Sequence, residues 1–376
     1  MTPQKVTLQD VADRAGVSLT TASRVVNDGS RRVGRLLVDR VHQAVAELGY
    51  TANLQARAVA TGQSTMVGVV VHDIADPYFS TIAVGFIEVA DSMHLLVCMS
   101  STSATEAAER EYVALMRAQR ARAVILIGSR TDDLAAREAL RAEIAAFTRP
   151  GGRAVCVGQD LLGVDTILPE NAASAEALAR AMVALGHRRF AVLAGPRGLL
   201  TARDRLDGFR AGLAAWSVPL DPARVIHGGF TRDGGYEAMS AILASGEPLP
   251  DCVFAVTDVM ALGALARLRA AGLEVPADMA LAGFDDIATL RDVQPPLTTV
   301  RLPLKQMGEM AAGLLLSDAA HTPQTPRVIP VPGEVILRDS TIPRPPALSP
   351  FPMISLPVPA LTVPKWARPP CFPPAT

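Results

Sequence analysis

Residues 6–27, VTLQDVADRAGVSLTTASRVVN, contain two short helical segments separated by a glycine. Thr7 stands at an N-cap position with Asp10 three residues on as its acidic partner, and Val11 and Ala15 supply an apolar stripe at i, i+4. Gly16 ends the segment. Ser18 then caps a second helix whose Ala22, Val25 and Val26 can pack back on the first. The opposite face carries Leu19, Thr20 and Arg24. Arginine suits a guanine edge, threonine can bond any base, and leucine can meet only a thymine methyl. Ser18, Thr21, Ser23 and Asn27 add hydroxyls and an amide suited to phosphate oxygens. The pair has the size of a helix-turn-helix, but helical hairpins that never touch DNA show the same turn. The motif alone leaves both readings open.

The charge distribution favours the first. Residues 1–62 hold eight Lys or Arg against five Asp or Glu, a local excess of +3 in a chain whose net charge is −1. Positive charge therefore gathers where a phosphate-binding module needs it. At 376 residues and 49% hydrophobic content the chain can bury more than one core. Cys98, Cys156, Cys252 and Cys371 are far apart and form no metal-binding spacing. No apolar run approaches the ~20 residues of a membrane helix and the N-terminus has no secretory pattern, so the expected compartment is the cytoplasm.

From Met66 onward apolar strands alternate with amphipathic helices: MVGVVV, LLVCM, AVILIG, AVCVG, FAVLAG, VFAVTD and MALAGF. Such alternation means parallel sheet with helices on both faces, and there is too much of it for one sheet. After Thr341 proline makes up a third of the residues, too dense for a helix or an inner strand, and residues 342–376 read as a disordered tail.

Four segments, VTLQDVADRAGVS, TASRVVN, VHQAVAELGY and ANLQARAVATGQS, together resemble the DNA-binding region of the LacI/GalR (lactose/galactose repressor) family, and the resemblance continues to about Thr341. It implies an N-terminal all-α helix-turn-helix domain (1–52), a hinge helix and linker (53–64), and an effector-binding and dimerising domain (65–341). The last would be an α/β periplasmic-binding-protein-like fold of two doubly wound lobes. Three crossovers would join them, placed near Gly158–Gly163, Ile287–Asp292 and Pro323–Val328. The implied function is a cytoplasmic homodimeric repressor that binds a pseudo-palindromic operator and answers to a small sugar-like effector. No membrane or cofactor enters this picture.

The implied DNA contacts are Thr7, Ser18, Leu19, Thr20, Thr21, Ser23, Arg24 and Asn27, with Asn53, Ala56, Arg57 and Val59 in the hinge. Relatives use leucine as the minor-groove wedge where this chain has Val59, and without the resemblance residues 53–60 would read as a plain linker. The third helix departs too: Gly34, Leu37 and Val38 replace a serine and a Thr-Arg pair, with Arg31, Arg32 and Arg35 available to compensate.

In the larger domain the resemblance implies an effector site between the lobes, off the carboxyl ends of the strands. Tyr78 and Phe79 follow Asp76-Pro77 where the family has Asn-Pro and two aromatics; a turn with a buried Phe is the alternative. Arg205 matches the arginine that holds effector, with Thr201 in the same loop. Phe230 stands as a second aromatic wall, Thr257 replaces the usual asparagine, and Asp285 matches the effector-binding aspartate, with Asp286 structural. Gly158 replaces an aspartate kept by several relatives. An enzyme is the rival class: His187 is a tempting base, yet no GxSxG, Walker or GxGxxG motif accompanies it, so no cofactor or catalytic activity is expected. A transport-binding protein of the same two lobes would lack the DNA-reading helices.

Overall fold

The computed structural model describes residues 6–27, 33–51, 64–103, 105–316 and 325–343. The expected hinge positions Asn53, Ala56, Arg57 and Val59, the pair Arg31 and Arg32, and the proline-rich tail from residue 344 lie outside the described residues, as does the side chain of Asn27.

Three helices build the N-terminal unit: α1 (Leu8–Ala15), α2 (Leu19–Asn27) and α3 (Arg35–Leu48). Thr7 and Asp10 form a reciprocal capping box, in which Asp10 N–H donates to Thr7 Oγ1 at 3.3 Å and Thr7 N–H donates to Asp10 Oδ2 at 2.7 Å. Gly16 takes φ +62°, a left-handed turn that lets Val17 N–H close on Ala12 O at 3.0 Å and redirects the chain into α2. Thr21 N–H donates to Ser18 Oγ at 3.1 Å, as the capping reading requires. Gly34 precedes α3 without any side-chain cap. The core is Val11, Ala15, Val25, Val38, Val41 and Ala44, closed at its edge by Val26, Val45 and Leu48.

The remaining chain makes two parallel sheets. Residues of the first lobe run β1 (Met66–Val71), α4 (Pro77–Ser92), β2 (Leu96–Ser101), α5 (Glu106–Ala118), β3 (Ala123–Ile127), α6 (Leu134–Thr148), β4 (Arg153–Val157) and β5 (Asp165–Pro169). The second lobe follows: α7 (Asn171–Ala184), β6 (Phe190–Leu193), α8 (Leu200–Ala214), β7 (Val225–Ile226), α9 (Arg232–Ala244), β8 (Cys252–Ala255), α10 (Asp258–Ala270), β9 (Ala280–Ala282) and β10 (Thr299–Arg301). The chain then returns through α11 (Leu304–Leu316) and β11 (Val328–Val331) to the first lobe and ends on β12 (Glu334–Ile336). Sheet order is β11-β5-β4-β3-β1-β2 in the first lobe and β7-β6-β8-β9 in the second; β10 and β12 pair antiparallel. Every side chain of β3 is buried, because α4 and α11 cover one face of its sheet and α5 and α6 the other.

The expected crossovers are corrected. β5 still pairs with β4, so the chain leaves the first lobe at Glu170, not at Gly158–Gly163. It returns between Arg301 and Leu304, because β10 follows the Ile287–Asp292 segment and bridges back toward Asp285. The final passage falls at Pro332–Gly333, since Val328–Val331 is a strand of the first sheet. The strands β5, β10 and β11 were hidden because they are short and interrupted by proline or polar residues. Their apolar signal is too weak to mark a strand without its neighbours.

Candidate functional site

The second helix presents Leu19, Thr20 and Arg24 to solvent while Ala22 and Val25 face the core. Ser18 is exposed and Thr21 half-buried, their hydroxyls 2.8 Å apart, and Ser23 is half-buried. Thr7 is exposed at the start of α1. One face of the three-helix unit therefore exposes an arginine, a threonine and a leucine that can meet a groove.

Between the lobes lies a cavity of about 580 Å³ at the carboxyl ends of the strands. Tyr78 and Phe79, in the first turn of α4, form one wall with rings at 87° and centroids 5.0 Å apart, and Phe230 stands on the side of the second lobe. Asp76 caps α4 by accepting from Tyr78 N–H at 2.9 Å. The second lobe contributes Arg205, Asp285, Thr201 and Asn171.

Arg205 is almost wholly buried, and its guanidinium is bound within the chain. Nε donates to Asn171 Oδ1 at 2.8 Å, Nη1 to the Val256 carbonyl at 2.7 Å and Nη2 to Asp285 Oδ1 at 2.8 Å. Its carbon lies 3.9 Å from the centre of the Phe284 ring. Burial pushes the Asp285 carboxyl up, and Arg205 opposes that push. Asp258 lies behind the pair; burial raises its carboxyl to about 7 although Thr299 Oγ1 and Ile287 N–H both donate to it. Asp286 instead binds Arg301 at 2.7 Å and Arg338, a structural role at the base of the lobe.

Thr257 is the one expected effector residue that does not line the cavity: its hydroxyl caps α10 by accepting from Met260 N–H at 3.3 Å. Gly158 lines it as bare backbone, with φ +153° and room for no side chain, since a Cβ there would stand 2.3 Å from the Gly128 carbonyl oxygen. His187 is buried after α7, away from the cavity.

Several residues went unread in the sequence. His72, just after β1, holds Glu109 at 3.2 Å, and Glu109 in turn accepts from both terminal guanidinium nitrogens of the wholly buried Arg130. Burial alone would raise the Glu109 carboxyl, but Arg130 and His72 draw it down to about 2. This cluster fixes the Gly128–Asp132 loop, which joins the lobes directly. Leu200 N–H donates to Arg130 O at 2.9 Å, Asp132 N–H to Gly198 O at 3.0 Å and Thr201 N–H to Ser129 Oγ at 2.9 Å. Gln159 accepts from Arg130 N–H at 2.9 Å and donates to Thr201 Oγ1 at 3.0 Å. Only position could have marked His72, Arg130 and Gln159, which follow the carboxyl ends of β1, β3 and β4, and nothing marks Glu109 inside α5.

Among the described residues no group of three or more His, Cys, Asp or Glu could hold a metal ion, and no helix is long and apolar enough to cross a membrane.

A helix-turn-helix with an open reading face, joined in one chain to two lobes around a ligand-sized cleft, defines a ligand-responsive regulator that binds DNA. The comparisons agree. Residues 7–53 match the model of bacterial regulatory proteins, lacI family, and residues 179–341 match a periplasmic binding protein-like domain. The chain is 32% identical to the transcriptional repressor CytR of Escherichia coli K12 over 89% of its length and 96% of that protein's. It is 31% identical to the regulator CelR of Thermobifida fusca, over 90% and 98% of the two chains. Among solved structures, the lac repressor dimer bound to operator and the anti-inducer ONPF superposes with a TM-score of 0.76 at 29% identity, covering 90% of this chain and all of that one. The chain belongs to the LacI/GalR family of helix-turn-helix transcriptional regulators, which are not enzymes.

Proposed function

We propose that this regulator binds a pseudo-palindromic operator as a homodimer in the cytoplasm, represses from it, and is switched by a small sugar-like effector held in the interlobe cavity. Leu19, Thr20 and Arg24 read bases, while Thr7, Ser18, Thr21, Ser23 and Asn27 meet the backbone, and Asn53, Ala56, Arg57 and Val59 belong to the hinge. Tyr78, Phe79, Thr201, Arg205, Phe230 and Asp285 hold the effector, and Thr257 supports the site through the start of α10. The domains divide as 1–52, 53–64 and 65–341, with 342–376 a proline-rich tail. The observation that carries this reading is the cavity itself: aromatic and polar groups from both lobes converge on one space, so a bound ligand must favour one lobe angle.

Relatives support the parts separately. One structure is of a lac repressor dimer on its operator, and another is of a CelR–cellobiose complex with a TM-score of 0.65 at 28% identity. Differential affinity of the ligand for two lobe angles is all that switching requires, and a coupling of ~1 to 3 kcal/mol is the usual scale. The test is operator titration of wild type and Asp285→Asn, with and without a ligand found by thermal-shift screening of sugars and nucleosides. Loss of the ligand response in the variant is expected; an unchanged response would remove Asp285 from the site.

A further inference from the structure

Resting on the effector reading of the cleft, we propose that the cavity admits polyhydroxylated ligands that are uncharged or carry a protonated amine, and rejects those that carry a phosphate or carboxylate. Of its described lining residues only Arg205 and His72 can be cationic. Arg205 is bound by Asp285, Asn171 and the Val256 carbonyl, and His72 is held by Glu109. The nearby Arg130 is buried and matched by Glu109. Among the described lining residues no guanidinium is without a partner in the chain, and Arg205 keeps only two of its five N–H donors for a ligand.

Carboxyl groups, by contrast, outnumber the cations. Asp73, Asp76 and Asp285 line the cavity and Asp258 stands behind Arg205. Asp73 and Asp76 are not matched: each accepts a backbone N–H, and neither makes an ion pair among the described residues. Asp76 is half-buried, and capping does not need its charge: an N-cap requires an acceptor oxygen, which asparagine supplies as well. Burial accordingly pushes its carboxyl up. A phosphate monoester, at roughly −1.5 to −2 charges, would enter against that field.

Helix N-termini pointing at a cleft ordinarily attract anions. Here three have first-turn N–H groups already bonded within the chain. Asp76 takes a first-turn N–H of α4, the Arg130 carbonyl and Ser129 hydroxyl take those of Leu200 and Thr201 at the start of α8, and Thr231 takes Gly234 N–H at the start of α9. What the lining offers instead is hydroxyls, from Ser101, Ser103, Ser129, Thr131, Thr201 and Thr231, with Tyr78, Phe79 and Phe230 for a ring face.

The experiment is calorimetric titration of the full-length protein with matched series: glucose, galactose and ribose, each with its amino derivative and its phosphate ester. In any series that binds, the phosphate ester should bind at least tenfold more weakly than its parent and the amine at least as tightly as the parent. Asp76→Asn, which keeps the cap, should narrow the phosphate penalty at least threefold while its circular-dichroism melting profile stays that of wild type. A phosphate ester that bound as tightly as its parent and shifted operator affinity would overturn the charge selection and leave the effector reading standing. A penalty unchanged in Asp76→Asn would overturn the role given to that carboxylate. Binding by no member would overturn the selection as stated for sugars, and the wider ligand screen then decides the effector reading by itself.

Discussion

Gln159 of the first lobe donates from Nε2 to Oγ1 of Thr201 in the second at 3.0 Å, closing the lip of the cavity beside the backbone bridge between Thr131 and Leu199. Thr201→Val removes that hydroxyl and keeps its N–H bond to Ser129. The variant should lose ~1 kcal/mol of stability, the usual net worth of one such bond. Because the bond forms only when the lobes are this close, the variant should also change the ratio of operator affinities with and without effector, by ~0.5 to 2 kcal/mol. Thermal unfolding and operator titration read the two effects; a ratio equal to that of wild type would make the contact a bystander.

Arg24 is exposed on the face of α2 opposite Ala22 and Val25. Replacing it by alanine should cost ~1 to 3 kcal/mol on the operator and relax preference at one position in each half-site. Competition against a library of operator variants measures this directly. If affinity for random DNA fell by the same factor, Arg24 would be a phosphate contact and not a reader.

The Glu109–Arg130 pair predicts a stability profile in acid. Its folded carboxyl titrates near 2, against an ordinary value of 4.5. A carboxyl depressed on folding stabilises the protein fully above its unfolded value and loses that contribution as pH falls through the folded one. Wild type should therefore lose on the order of 3 kcal/mol between about pH 4.5 and 2 from this group alone. Glu109→Gln should lack that step, and at pH 7 it should be about 3 to 5 kcal/mol less stable because Arg130 is left buried and unmatched. Urea unfolding across the pH range tests both; a variant with the acid profile of wild type would show that other carboxyls dominate.

The parts legible in the sequence were those with a local signature. Thr7 with Asp10, Gly16 and Ser18 announce caps and a turn through chemistry that acts within four residues. The buried strands β1 and β3 are continuous apolar runs. Arg205 and Asp285 were found through resemblance, yet their mutual contact was not, because they lie 80 residues apart in the chain. The resemblance marks Arg205 as the arginine that holds effector, whereas each of its three guanidinium nitrogens also bonds within the protein. Glu109, Arg130 and Gln159 carried no local chemical signal: a charged or polar residue on an amphipathic helix or in a loop looks solvated until tertiary structure buries it.

The three passages between lobes lie side by side. Glu170 N–H bonds to the Val331 carbonyl at 2.9 Å, Gly333 N–H to Ser174 Oγ at 3.0 Å, and Arg301 pairs with Glu334 across the two-stranded ribbon. In mechanical terms this is a door hung on three adjacent hinges. Twisting and sliding of one lobe against the other would strain at least two of them, which leaves rotation about their common line as the soft motion. What reaches the DNA end of the first lobe is then a single angle. Ligands of quite different shape could produce the same output, provided they set that angle alike.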